Sequence, residues 1–472
     1  MNKLIIFFCC LFFSSNEKTV KTDSLPIKHS MIHKVDSAMI EPISDNNIYN
    51  AKALEDFFEK LQKNENNNNK KINIVHIGDS HIQGDLMTNE VRKNLQQKFG
   101  NAGRGLVFPY QLAKTNGSYN ERFYSSRVWE NYRNILPFKN HPVGLSGIAL
   151  WRDNDGFAVE LNIKDPAYKF NSIYIITPQN QNMFSLATSS RTKTIQTTER
   201  KIITHKIKKG EAISTIAEKY NVSIAELKRE NHLKSNNIRA GRTLKIVTNE
   251  TRPKNITNSE FVSLDLESDS FSHSYHSDEQ LSKIYLIPNK NAEKYELNGI
   301  VLEKDAPGII YSGIGVNGAK YSDYNKYPMF FEQLKALHPD LLVFSLGTNE
   351  SYEKLESGNY IKQLKEFISN IKAQGINVPI IVMTPPPSLL RKKPNFYIRD
   401  YSKDILEIAQ TDDFAVWDLY NEFGGLDGIR KLKVQGLIGP DWVHYSKKGY
   451  EKQGNLFTEA FLKAYDNFKL KK

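Results

Sequence analysis

Apolar positions change their spacing twice along this chain, and the changes divide it. Over residues 51–61 they recur at helical intervals (Leu54, Phe57, Phe58, Leu61), and the asparagine and lysine run at 64–71 reads as a loop. A largely apolar run of strand length follows, from Ile72 to Ile77, and stops at Gly78. Helical spacing resumes over 87–99, and Gly100-Asn101-Ala102-Gly103-Arg104-Gly105 predicts a flexible end to that helix. From about 118 to 300 the pattern becomes short apolar stretches separated by turn residues, at 147–151, 157–163, 172–176, 261–266 and 283–288. Such spacing predicts a β-sandwich or similar all-β module. Strand and helix patterns then alternate: strands at 308–311, 341–346, 380–383 and 414–419, helices at 327–337, 360–374 and 401–410, and a last helix from 446 to about 468. Five strands with helical connections predict an α/β fold with a mostly parallel sheet and helices on both faces. The β-rich module interrupts that sheet after its first strand and helix.

At 472 residues the chain exceeds one typical domain, and 39% hydrophobic content is ample for packed cores. A formal net charge of +11 suits nucleic acid, an anionic membrane or an acidic polymer, and charge alone does not choose among them. The first residues narrow the compartment. Lys3 precedes a bulky apolar run at 4–13, of signal-peptide length and too short to span a bilayer, and no later stretch reads as a membrane helix. The expectation is an exported protein of the periplasm or cell envelope, with a signal peptide at 1–15, a polar tether at 16–50 and no transmembrane span. Both cysteines, Cys9 and Cys10, lie in the apolar run, so the mature chain would carry no disulfide. A lipid anchor there stays open, although Ile6-Phe7-Phe8 lacks the small residue that lipoprotein signals want before the cysteine.

Inside the β-rich region, 204–247 has a pattern of its own. A strand and turn (Thr204-His205-Lys206-Ile207-Lys208-Lys209-Gly210-Glu211) leads to an amphipathic helix at 212–220. A second helix at 222–231 has Ser223 as its cap, and Asn237-Ile238-Arg239-Ala240-Gly241-Arg242-Thr243-Leu244-Lys245-Ile246 closes the unit with a loop and strand. Throughout its length this βααβ unit resembles a LysM module. The resemblance implies binding of glycans containing N-acetylglucosamine, such as peptidoglycan, in a groove lined by Gly210, Glu211, Ala212 and Ile213 on one loop and Asn237, Ile238, Arg239 and Gly241 on the other. LysM modules commonly carry Asp-Thr where Glu211-Ala212 stand here, which puts one polar contact in doubt. Ten lysines and arginines against four glutamates make the unit strongly basic, as an anionic wall polymer would favour.

Candidate chemistry lies in four separate loops. Gly78-Asp79-Ser80-His81 ends the first strand, so Ser80 stands at the sheet's carboxyl edge, where open α/β sheets bind ligands; a plain helix cap is the alternative. Gly315-Val316-Asn317-Gly318-Ala319 and Leu346-Gly347-Thr348-Asn349-Glu350 follow other strands, offering a glycine N–H and an asparagine amide at the same edge. Asp441-Trp442-Val443-His444 precedes the last helix, and an aspartate and histidine so spaced can turn toward one point. The four stretches resemble the blocks of the SGNH (GDSL-type) hydrolases, and the Gly-Asp-Ser-His form with its inserted β-module is similar to the peptidoglycan O-acetyl esterase branch. The resemblance implies a three-layer α/β/α, flavodoxin-like sheet. Ser80 would be the nucleophile, His444 the base and Asp441 its orienting partner. Oxyanion donors would be the Ser80 and Gly318 N–H groups and the Asn349 side chain, with Gly315 the rival for the glycine role. His81 and Asp85 are further polar residues beside the nucleophile.

On this reading the hydrolase occupies 51–117 and 306–472, the β-rich insert 118–203 and 248–305, and LysM 204–247. The expected function is a secreted serine esterase that removes acyl groups, foremost O-acetyl, from peptidoglycan or related wall glycan, held there by LysM. An O-acyltransferase with the same triad and a wall-binding protein with a silent hydrolase fold are the alternatives. No cofactor, metal or nucleic acid is expected. The histidines do not cluster at ligand spacing, and His273 with His276 reads as a solvated loop.

Overall fold

Alternation along the first long strand, Lys71–Gly78, sets the layers. Ile72 and Ile74 are buried on one face and Val75 and Ile77 on the other, because successive strand side chains point to opposite sides. The same alternation runs through its parallel neighbours: Leu341 and Val343 against Leu342 and Phe344, then Ile381 and Met383 against Ile380 and Val382. One face is covered by the helices Glu55–Asn67, Leu86–Phe99 and Lys447–Leu470, through Phe57, Phe58, Val91, Leu95, Phe457 and Phe461. The other is covered by Pro328–Gln333, Ser357–Ala373 and Phe396–Ile408, through Phe330, Leu364, Phe367 and Ile405. The result is a three-layer α/β/α domain. The computed structural model describes residues 45–67, 69–254 and 258–471; the expected signal segment, Cys9, Cys10 and most of the expected tether lie outside them. Within residues 46–50, assigned to the tether, Ile48–Tyr49 instead pairs antiparallel with Ala415–Trp417. Asn46 accepts a hydrogen bond from Trp417 Nε1 at 3.0 Å.

Six strands run parallel, in the spatial order Ala415–Trp417, Ile380–Met383, Leu341–Ser345, Lys71–Gly78, Gly308–Gly315, Asn101–Val107. The last of these corrects the flexible end expected at 100–105. Gly103 and Gly105 have φ of +138° and +75°, values that favour glycine, and an added Cβ at Gly103 would lie 2.6 Å from the Leu302 carbonyl oxygen. The glycines thus permit close strand contact.

The insert does not form a separate sandwich. Its strands Gly299–Glu303, Phe170–Ile176 and His273–Leu281 extend the hydrolase sheet antiparallel beyond Asn101–Val107. A five-stranded antiparallel sheet shares a core with them, joining Phe123, Leu161, Leu186 and Leu286 to Phe170, Ile173 and Ile175. His273 and His276 accordingly lie on a strand, and His273 is buried, bonded to Ser268 Oγ at 2.7 Å and the Asn180 carbonyl at 3.0 Å. A buried ion network also crosses this junction. The Asp85 carboxylate receives Arg92 at 2.7 Å, Arg104 at 2.8 Å and Thr88 at 2.6 Å, while Arg104 reaches Glu121 on the insert's first strand at 3.1 Å. Burial alone would raise the Asp85 pKa, but the two guanidinium groups hold it well below the usual carboxylate range.

The βααβ unit stands on a ribbon. Thr198–Lys206 pairs antiparallel with Thr243–Pro253, and the helices Ile213–Lys219 and Ile224–Glu230 close over a small core of Ile207, Ile216, Leu227, Leu244 and Ile246. Ser223 caps the second helix, accepting from the Glu226 N–H while Glu226 accepts from the Ser223 N–H.

Candidate active site

Gly78 lies in register with Gly315 on one side and Ser345 on the other. Three adjacent parallel strands therefore end in one row, and the residues just beyond it, Ser80, Gly318 and Asn349, share one edge. Ser80 opens the short helical turn Ser80–Gln83, which Asp79 caps by accepting the His81 N–H at 2.9 Å. Among the described residues, the Ser80 and Gly318 N–H groups have no hydrogen-bond acceptor. Gly318 has φ +87°, and an added Cβ would come no nearer than 3.6 Å to Ile135. Gly315 serves packing instead: a Cβ there would lie 2.3 Å from the Gln83 nitrogen.

The loop before the last helix closes on the same point. Gly439 N–H bonds the His444 carbonyl at 2.6 Å, and Trp442 takes a left-handed φ of +63°. This folds Asp441 back, so that Oδ1 accepts the N–H groups of Val443 and His444, each at 3.0 Å, and Oδ2 lies 2.7 Å from His444 Nδ1. His444 Nε2 is then 2.9 Å from Ser80 Oγ. Aspartate, imidazole and hydroxyl form one hydrogen-bonded chain beside two open amide donors, the arrangement that acyl transfer requires.

The charges suit that chain. Burial alone would lower the His444 pKa, but the hydrogen bond and charge of Asp441, with Asp79 adding to them, raise it above its ordinary value. Burial pushes Asp441 up, but the His444 hydrogen bond and the loop N–H groups bring it down to about 2. The neighbouring His81, with its ring centre 5.3 Å from that of His444, is held neutral by burial at about 3 and bonds Tyr450 Oη at 2.9 Å. Burial lifts Asp79 to about 7 and Glu350 to about 8. The Asn349 side chain reaches the site but is engaged, donating to Asp79 Oδ2 at 3.1 Å and the Ala319 carbonyl at 3.0 Å.

Two family models match the chain: the LysM domain over residues 205–247 and the GDSL-like Lipase/Acylhydrolase family over residues 269–452. The protein is thus an esterase, matched by the GDSL-like model over much of its second half and by the LysM model ahead of it. No curated protein matches at a significant level. Among solved structures, the esterase is similar to a peptidoglycan O-acetylesterase at 18% identity and a TM-score of 0.61, over 90% of this chain and 99% of that one. It also matches a lipase/acylhydrolase from Enterococcus faecalis at 20% identity and a TM-score of 0.27, over 32% of this chain and 75% of that one. A psychrotrophic esterase from Pseudoalteromonas sp. matches at 15% identity and a TM-score of 0.27, over 34% and 79% of the two chains.

One residue of the esterase's site escapes sequence reasoning. Gln83 Oε1 accepts the Asn317 N–H at 2.6 Å, and its amide donates to Thr115 Oγ1 at 2.9 Å and the Asn116 carbonyl at 2.6 Å. It thereby ties the turn bearing Ser80 to the loop bearing Gly318. The available signal is its position three residues after Ser80, one helical turn along. In the LysM domain, the two predicted loops are joined at their bases by Ile207 N–H to the Arg242 carbonyl and Gly241 N–H to the Ile207 carbonyl, both 2.8 Å. Gly210, Ala212, Asn237, Arg239 and Gly241 are exposed and Ile238 half-buried, whereas the Ile213 side chain is buried in the core. The Glu211 carboxylate turns inward, taking the Lys208 N–H at 2.7 Å and His205 Nε2 at 2.8 Å. It braces the loop at the position where one polar contact to the glycan was in doubt.

Proposed function

We propose that this esterase is an exported, wall-associated enzyme that hydrolyses acyl esters, foremost O-acetyl, on peptidoglycan, with LysM holding it to the polymer. The carrying observation is the chain from Asp441 through His444 to Ser80, at 2.7 and 2.9 Å, beside the open Ser80 and Gly318 amides. His444 takes the Ser80 proton as Oγ attacks the ester carbonyl carbon. The resulting oxyanion is held by the two amides and, once Asn349 shares a proton now given to Asp79 or Ala319, by that side chain as well. Collapse of the intermediate expels the sugar hydroxyl, protonated by His444, and leaves an acyl group on Ser80. Water, activated by the same imidazole, then releases acetate. Asp441 holds the tautomer that leaves Nε2 free and stabilises the imidazolium. The LysM domain and the fold shared with a peptidoglycan O-acetylesterase support the substrate.

The test is acetate release from native and chemically deacetylated wall. Wild type should release acetate from the native wall alone, and Ser80→Ala should lower the rate by at least about a thousandfold. Equal release by the two proteins would defeat the assignment of the nucleophile, and no release by wild type would defeat the esterase assignment for this substrate.

A further inference from the structure

The strand Ile380–Met383 ends at the same carboxyl edge as Ser80, and the chain leaves it through the buried run Pro385-Pro386-Pro387. Prolines fix their backbone angle, so this is a stiff arm. It is fastened to the loop that carries Asp441 and His444: Tyr445 Oη donates to the Pro387 carbonyl at 2.7 Å, and Leu389 N–H donates to the Trp442 carbonyl at 2.9 Å. The arm ends in a hairpin in which Leu389–Leu390 pairs with Lys393–Pro394 around Arg391 and Lys392. Both turn residues have positive φ, +50° and +67°. A two-residue turn of that kind favours Asn-Gly, and two long β-carbon-bearing side chains there are strained. Strain held on a stiff support beside a reactive centre points to a role for those side chains. Arg391, Lys392 and Lys393 are exposed, and among the described residues none has an ion-pair partner. Phe396, 51% exposed, begins the next helix after the buried Asn395.

We propose that this hairpin is a cationic subsite of the esterase, which holds carboxylates of an acidic glycan–peptide strand while an ester of that strand lies at Ser80. The inference rests on the proposed action on wall polymer. Exposed guanidinium and ammonium groups without partners suit carboxylates, the arginine by a two-pronged pairing. The stiff arm keeps them at a fixed distance from His444, so the same contact that binds the strand also sets its register.

The test compares O-acetylated peptidoglycan bearing free carboxylates with the same polymer after amidation. It is applied to the wild type and to Arg391→Asn/Lys392→Gly, whose turn residues are those the hairpin backbone prefers, so that the fold is not at risk. Wild type should show a KM about three- to tenfold lower on the free-carboxylate polymer, as two surface ion pairs allow. The double variant should bring that ratio close to one, with kcat on the two polymers alike. A wild-type ratio of one, or an undiminished ratio in the variant, overturns the proposal. Retention on the two polymers is also compared for Ser80→Ala with and without the double substitution. That arm reads the hairpin even where wild type releases no acetate, a result that would instead overturn the proposed activity.

Discussion

His444 stands between opposing influences: burial favours its neutral form, and Asp441 and Asp79 favour its charged form and prevail. The direction fixes a pH dependence. In the proposed mechanism only neutral imidazole accepts the Ser80 proton, so kcat/KM on a neutral aryl acetate should fall as pH drops, with a midpoint above the ordinary imidazole value of about 6.5. Asp79 is itself ionised only above about 7, so Asp79→Asn removes a charge present in the upper part of the profile and should move that midpoint down slightly; a pH–rate profile that moves up would contradict the assignment. Stability follows the same signs. The His444 contribution is complete below the unfolded imidazole value and is lost as pH rises through the raised one. The Asp441 contribution is complete above the ordinary carboxylate value and is lost as pH falls toward about 2. Residue types and loop order were legible in the sequence, as with Ser80 and the Asp441–His444 spacing. The engagement of Asn349 by Asp79 and Ala319 was not, because it depends on how two neighbouring strand ends face each other.

At the scale of elements, the short turn Ser80–Gln83 joins three parts of the site. Its first residue presents the hydroxyl, its capping aspartate bonds Asn349, and its last residue holds the loop that leads to Gly318. Replacing Gln83 with leucine keeps the turn but leaves the Asn317 N–H without its acceptor, so the Gly318 donor should drift from position. We expect kcat on an aryl acetate to fall by about ten- to a hundredfold with KM changed little, since a misplaced donor acts on the transition state rather than on binding. Steady-state kinetics of Gln83→Leu decide this, and a rise in KM at unchanged kcat would assign Gln83 to substrate binding instead. The strands and helices around this turn follow their apolar spacing closely, and the last helix, expected from 446, begins at Lys447 with Ser446 as its cap. Asn101–Val107 does not follow its composition: glycines that read as a flexible end are there because neighbouring backbone leaves no room for a β-carbon.

For the whole molecule, the LysM domain hangs on a single two-stranded ribbon, in which Lys206 faces Thr243. Replacing residues 207–242 with a two-residue Asn-Gly turn should therefore shorten the ribbon without opening the core. The shortened protein should keep kcat/KM on a soluble aryl acetate within about twofold and lose most of its retention on insoluble wall in a sedimentation assay. Undiminished retention would remove LysM from the anchoring role. The insert behaves differently, since its strands continue the hydrolase sheet and its Glu121 closes the buried network of Asp85 and Arg104. Periodicity, turn residues and motif order determined the α/β class, the interruption and the LysM unit, because each depends on neighbours within one segment. Tertiary structure alone decided that the insert shares the sheet, that a hairpin is bonded to the loop carrying His444, and that Ser80, Gly318 and Asn349 stand at one edge. Those outcomes depend on which strands lie side by side and in what register, and residues far apart in the chain determine that jointly.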